Sequence, residues 1–182
     1  MKTFIYPEMM VHVPLCTHKA PKNILIVSDN ADTLLQEIGR YEGVDTKVIA
    51  ASNVLEGVRE EADQSFDVVL VDGSADAAAI AHINRVLKDD GLVAMQHPSL
   101  DEVEANTTLM EILSNYFKII MPYNAGESTL LLASKEYHPT ADVILQRTDL
   151  LEGQQYYNCD IHQAVFAMPN YIRKAYLGVI RN

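Results

Sequence analysis

Cysteine is scarce in this chain: Cys16 and Cys159 stand far apart, with no Cys-x-x-Cys spacing and no adjoining histidine pattern. Neither a zinc site nor a redox pair is indicated, and reduced structural thiols are expected. Low-complexity runs are missing as well. With 48% hydrophobic and 21% charged residues, 182 residues carry enough apolar surface to offset the entropy of ordering, so one core that folds unaided is expected. No apolar run reaches the roughly 18 residues a membrane helix needs, and Met1 to Pro7 has neither a basic n-region nor a long apolar h-region. The expectation is a cytoplasmic protein that does not bind membranes. Basic residues are in the minority, 14 against 25 acidic ones, for a formal net charge of −11. That argues against a nucleic-acid binder, because phosphate contact needs clustered cations and these are scattered. A cationic small molecule suits the field, although acidity also serves plain solubility.

What is present alternates in period. Ile24 to Val27 reads as a buried strand that stops at the polar stretch Ser28 to Asp32. Leu34, Leu35 and Ile38 follow at helical spacing, with Asp32 as the expected N-cap. Thr46 to Ala50 reads as a second strand, and Ser52 is expected to cap a helix carrying Leu55, Val58 and Ala62. Asp67 to Val71 is a third strand and ends at Asp72, where an open parallel sheet presents its ligand-facing edge. A helix with Ile80, Ile83, Val86 and Leu87 is expected to close at Gly91, and Leu92 to Gln96 forms the next strand. A helix over about Asp101 to Asn115 precedes Lys118 to Pro122 and Thr129 to Ala133, joined through Asn124, Ala125 and Gly126 as a hairpin. The order predicts an α/β fold: an open, mostly parallel Rossmann-like sheet of the methyltransferase type, with helices on both faces and an antiparallel edge hairpin.

Two longer motifs carry more than periodicity. Phe4-Ile5-Tyr6-Pro7-Glu8-Met9-Met10-Val11-His12-Val13-Pro14-Leu15-Cys16-Thr17-His18 and Tyr156-Tyr157-Asn158-Cys159-Asp160-Ile161-His162-Gln163-Ala164-Val165-Phe166-Ala167-Met168-Pro169 resemble the opening segment and the C-terminal signature of the spermidine synthase (polyamine aminopropyltransferase) family. Phe66 to Asp72 is similar to the strand that delivers that family's catalytic aspartate, Leu87 to Gly91 resembles the segment before the next strand, and Tyr123 and Gly126 fall in register with Ser134 and Lys135. The resemblance implies one domain over 1–182: an opening segment (1–20), a sheet core (21–135) and a helical tail (136–182). It implies Asp72 as the base that takes a proton from putrescine before the amine attacks decarboxylated S-adenosylmethionine, which serves as co-substrate with no tightly bound cofactor and no metal. Glu8, Tyr123 and Asp76 are implied as substrate-binding residues, and a homo-oligomer or pairing with an active paralogue as the assembly. An ammonium is no nucleophile, so a positioned acceptor is a physical requirement of that chemistry. Turn formation by Asp72-Gly73, a packing role for Tyr123 and a capping or packing role for His162 are the structural alternatives.

The chain also departs from the family. A glycine-rich loop is expected after the first strand, because a nucleotide must approach the backbone closely, yet Ser28, Asp29, Asn30 and Ala31 stand there. The acid that would hold a ribose is replaced by the run Ala50, Ala51, Ser52 and Asn53. The short interval from Ala50 to Asp67 implies that one βα unit is deleted, the family's second carboxylate after Asp72 is Ala75 with Asp76 one place late, and Pro7 replaces a polar substrate contact. A shortened, divergent member without the family's N-terminal β-domain is therefore expected. Three readings stay open: an active aminopropyltransferase, a non-catalytic homologue acting through association, and a methyltransferase on the related fold.

Overall fold

The computed structural model describes residues 2–182. Its strands are β1 (Asn23–Val27), β2 (Asp45–Ile49), β3 (Phe66–Val71), β4 (Leu87–His97), β5 (Ile119–Ala125) and β6 (Ser128–Ser134). They form a six-stranded sheet in the order β2-β1-β3-β4-β6-β5. β2, β1, β3 and β4 run parallel, whereas β6 is antiparallel to β4 and forms with β5 the edge hairpin, turning at Gly126 with φ +70°. The α/β sheet with an antiparallel edge is thus as the periodicity predicts. The helices are α1 (Ile5–Thr17), α2 (Asp32–Ile38), α3 (Val54–Arg59), α4 (Ala77–Val86), α5 (Val103–Leu113), and the short α6 (Leu145–Leu150), α7 (Cys159–Ala164) and α8 (Asn170–Ala175). No helix among the described residues is long and apolar enough to cross a membrane.

The central strands carry continuous apolar stretches, Ile24 to Val27, Val68 to Val71 and Leu92 to Met95, because both faces of the sheet are covered there. Alternate residues separate cleanly. Ile24, Ile26, Val68, Leu70, Leu92 and Ala94 face α1, α2 and the C-terminal segment with its Tyr157, while Leu25, Val27, Val69, Val71, Val93 and Met95 face α4, α5 and α8. Helix α1 has no polar stripe, since every residue from Pro7 to Thr17 is buried. It lies between the sheet and the C-terminal segment, which removes water from all its sides and accounts for its apolar character.

Three local expectations are corrected. Asp32 begins α2 but does not cap it; Ala31 is the N-cap and makes no side-chain bond. Ser52 sits in a 3-10 turn, Ala51–Asn53, ahead of α3, and its hydroxyl donates to Asp29 Oδ1 (3.0 Å), so it caps nothing. Gly91 lies within β4 and not after a helix: α4 ends at Val86, and the pairing of β3 with β4 jumps from Phe66↔Leu87 to Val68↔Leu92. That bulge folds Gly91 back on Leu87, where a Cβ would come within 2.9 Å of Leu87 Cδ2, so glycine is required by close approach.

Two buried histidines give the fold an acid-side weakness. His162 Nε2 lies 2.8 Å from the Pro139 carbonyl, which can only accept, so Nδ1 accepts from the Tyr157 hydroxyl at 2.7 Å. Burial, partly opposed by the Pro139 carbonyl beside His162 and the Pro98 carbonyl beside His97, pushes both rings down from 6.5 to about 4. Between these limits the unfolded chain binds protons that the folded chain refuses, so stability falls as pH falls through that window. Melting temperature should therefore drop between pH 7 and pH 4, by on the order of 2–3 kcal/mol per histidine in stability at the acid end. His162→Gln should flatten the profile, and a wild-type melting temperature constant over that range would contradict the assignment.

Candidate active site

The chain moves from β1 outward to β2 and then crosses back to β3, so the strand order reverses between β1 and β3. The carboxyl ends of such neighbours open a crevice, the usual ligand position of open α/β sheets. Asp72 stands there, one residue after β3, with its backbone N–H donating to the Val27 carbonyl at 2.8 Å. Its carboxylate is half-buried and held on both sides: Tyr6 donates its hydroxyl to Oδ1 (2.8 Å) and Ser28 donates to Oδ2 (2.8 Å). Burial first, then the adjoining Asp72 carboxylate, pushes the Tyr6 hydroxyl far above its usual range, so it remains a donor at any working pH. One residue beyond the pair Val71↔Met95 the same register brings exposed Gln96 alongside Asp72.

Tyr6 and Gln96 are absent from the sequence-based set of site residues, and Ser28 figures there only as an occupant of the cofactor loop. Tyr6 lies 66 positions from its partner, which no local period reports.

The other expected substrate residues have structural partners. Glu8 is buried, and its two oxygens accept the backbone N–H groups of Gln155, Tyr156 and Tyr157, each at 2.8 Å. Tyr123 is 0% exposed and donates to the Met9 carbonyl at 3.2 Å. Asp76 caps α4 by accepting from the Ala79 N–H at 2.8 Å. The polar atoms of Glu8 and Tyr123 thus face backbone partners inside the fold, and the Asp76 carboxylate serves as a helix cap. The loop of Ser28, Asp29, Asn30 and Ala31 lies between the ends of β1 and α2, and Asp29 accepts from both the backbone and the hydroxyl of Ser52 (3.1 and 3.0 Å), joining the loops that follow β1 and β2. No carboxylate occurs in the run Ala50 to Asn53.

A cluster of His18, Asp67 and Asp90 has metal-like proportions at the opposite end of the sheet. Its chemistry is that of a structural joint. The Ala20 N–H donates to His18 Nδ1 (3.1 Å), which leaves the proton on Nε2 and no lone pair there for a metal. Asp67 already holds the Lys88 ammonium at 2.8 Å together with the N–H groups of Lys22 and Asn23.

A sequence model of the spermine/spermidine synthase domain matches residues 3–60, the span that contains α1, β1, Tyr6 and Ser28. A polyamine aminopropyltransferase of Helicobacter acinonychis is 27% identical over 204 residues, covering 95% of this chain and 78% of that protein. Over these spans the chain is similar to the spermidine synthase family. A solved spermidine synthase in complex with the transition-state analogue AdoDATO superposes with a TM-score of 0.84 at 22% identity, over 97% of this chain and 76% of that one. Spermidine synthase from Thermotoga maritima gives 0.83 at 23% identity, over 97% and 75%. These likenesses confirm the fold. The 204 aligned positions exceed the 182 residues present, so the Helicobacter relative carries residues within the matched span that this spermidine synthase-like chain lacks.

The Glu8 carboxylate joins the two family motifs, Phe4 to His18 and Tyr156 to Pro169. Replacing it by Gln puts an amide donor against three N–H donors, a cost of about 3 kcal/mol, or a fall in melting temperature of about 6–12 °C in a chain of this size. Exposed Glu42→Gln should change little, and equal melting temperatures for the two variants would contradict this role for Glu8.

Proposed function

We propose that this chain transfers an aminopropyl group from decarboxylated S-adenosylmethionine to putrescine, with Asp72 as the base. The supporting observation is the Asp72 carboxylate at the switch point of the sheet, oriented by the Tyr6 and Ser28 hydroxyls. Each carboxylate oxygen has a second lone pair, so the two hydroxyl donors leave acceptor capacity for an ammonium. Asp72 takes one proton from the putrescine ammonium; the freed nitrogen attacks the carbon attached to the sulfonium; the carbon–sulfur bond breaks with its electrons to sulfur, leaving methylthioadenosine. Alignment of nitrogen, carbon and sulfur supplies most of the rate gain in such a displacement, and the field of a chain with net charge −11 favours the diamine.

The Asp29–Ser52 contact favours a second reading. It closes the interval between the β1 and β2 loops, where a nucleoside would need room, and no acid stands ready for the ribose. A non-catalytic homologue that acts by pairing with itself or with an active paralogue would keep the scaffold under those conditions.

Mass spectrometry of purified protein incubated with putrescine and decarboxylated S-adenosylmethionine separates the two. The first reading predicts spermidine and methylthioadenosine in equal amounts, a loss of about 100-fold or more in Asp72→Asn and of about ten-fold in Tyr6→Phe. Absence of turnover, together with no thermal stabilisation by decarboxylated S-adenosylmethionine, contradicts it and leaves the second.

A further inference from the structure

At the end of the sheet opposite Asp72, a groove of about 750 Å³ runs between the loop that enters β1, the turn after α2 and the segment around α6. Its charge is opposite to that of the chain. Lys19 and Lys22 line it, both are exposed, and neither has a carboxylate within ion-pair distance among the described residues. Arg147 lines it too and donates to the carbonyls of Leu15, His18 and Lys19, which position the guanidinium without neutralising it. Arg40 is paired with Glu37, and Glu42 is the one acid on the lining. Three uncompensated cations therefore face one carboxylate, in a protein of net charge −11.

Apart from Gln146, the remaining lining is largely apolar. Val44 and Ile144 lie along it, and Leu150 is left 73% exposed at its rim. Ammonium stems bordering an apolar trough suit a ligand with one anionic end and one water-averse end. We propose that this groove binds a small organic anion, a carboxylate or phosphate head carried on an aliphatic or aromatic body. Lys19 and Lys22 hold the head, with Arg147 adding to the field, and the body lies against Val44, Ile144 and Leu150. A polyamine is excluded by charge, so this site and the Asp72 crevice take different ligands.

Titration with the anionic dye anilinonaphthalene sulfonate, followed by fluorescence, tests the groove without reference to any enzymatic activity. Wild type should bind the dye, more weakly as salt rises from about 20 to about 300 mM, and the Lys19→Gln/Lys22→Gln variant should bind about five-fold more weakly or worse. Both lysines are exposed, so the variant should melt as wild type does. Neutral N-phenylnaphthylamine should show no difference between the two proteins. Displacement by octanoate identifies an alkyl carboxylate as the better head, displacement by phenyl phosphate a phosphate. Unchanged dye affinity in the variant, an equal loss for the neutral dye, or displacement by neither acid would overturn the proposal.

Discussion

One buried carboxylate fixes the geometry on which the rest depends. Glu8 accepts three consecutive backbone N–H groups from the segment Gln155 to Tyr157, some 150 residues away in sequence. Such a cradle resembles a helix-cap interaction taken to its limit, with both oxygens used and water excluded. It presses the C-terminal segment onto α1, where the His12 ring meets the Tyr157 ring at 5.0 Å between centroids and Asn124 donates its N–H to the Val165 carbonyl at 3.0 Å. Helix α1 is thereby enclosed, and its first turn carries Tyr6 to Asp72. The two family motifs mark this clamp, with Glu8 in one and Tyr156 and Tyr157 in the other.

A second buried network sets the angle between α1 and α2. His12 Nε2 donates to Glu37 at 3.0 Å while Arg40 donates to the same carboxylate at 2.6 Å. Burial alone would raise the Glu37 carboxyl, but the hydrogen bonds from His12 and Arg40 prevail and hold it down to about 2. Because α2 follows directly on the Ser28 to Ala31 loop, this network also positions the donor that reaches Asp72 Oδ2.

The sheet was legible in sequence because β1 and β3 carry the apolar stretches Ile24 to Val27 and Val68 to Val71, each ending at a polar residue, a pattern that burial on both faces imposes. Asp72 was legible for the same reason, as the residue after such a run. Helix α1 carried no periodic signal, since a segment buried on every side has no polar face to reveal its turn. Gly91 read as a helix end, yet the bulge that requires it depends on pairing with β3. Ser28 stood out as an obstruction to close backbone approach, while its second part, as a donor to Asp72, depends on a neighbouring strand that local sequence does not name. Glu8 and Tyr123 belong to the motif by position, and only packing shows that their polar atoms face inward.

The clamp and the crevice are thus one mechanical unit: Glu8 seats α1, α1 carries Tyr6, and Tyr6 orients the carboxylate that would receive an amine. Calorimetric binding of putrescine to wild type, Glu8→Gln, Tyr6→Phe and the double variant, below their melting temperatures, tests that chain of cause most directly. The account predicts that both single variants bind more weakly and that the double variant is no worse than the poorer of the two. Additive losses, or putrescine binding untouched by Glu8→Gln, would contradict it.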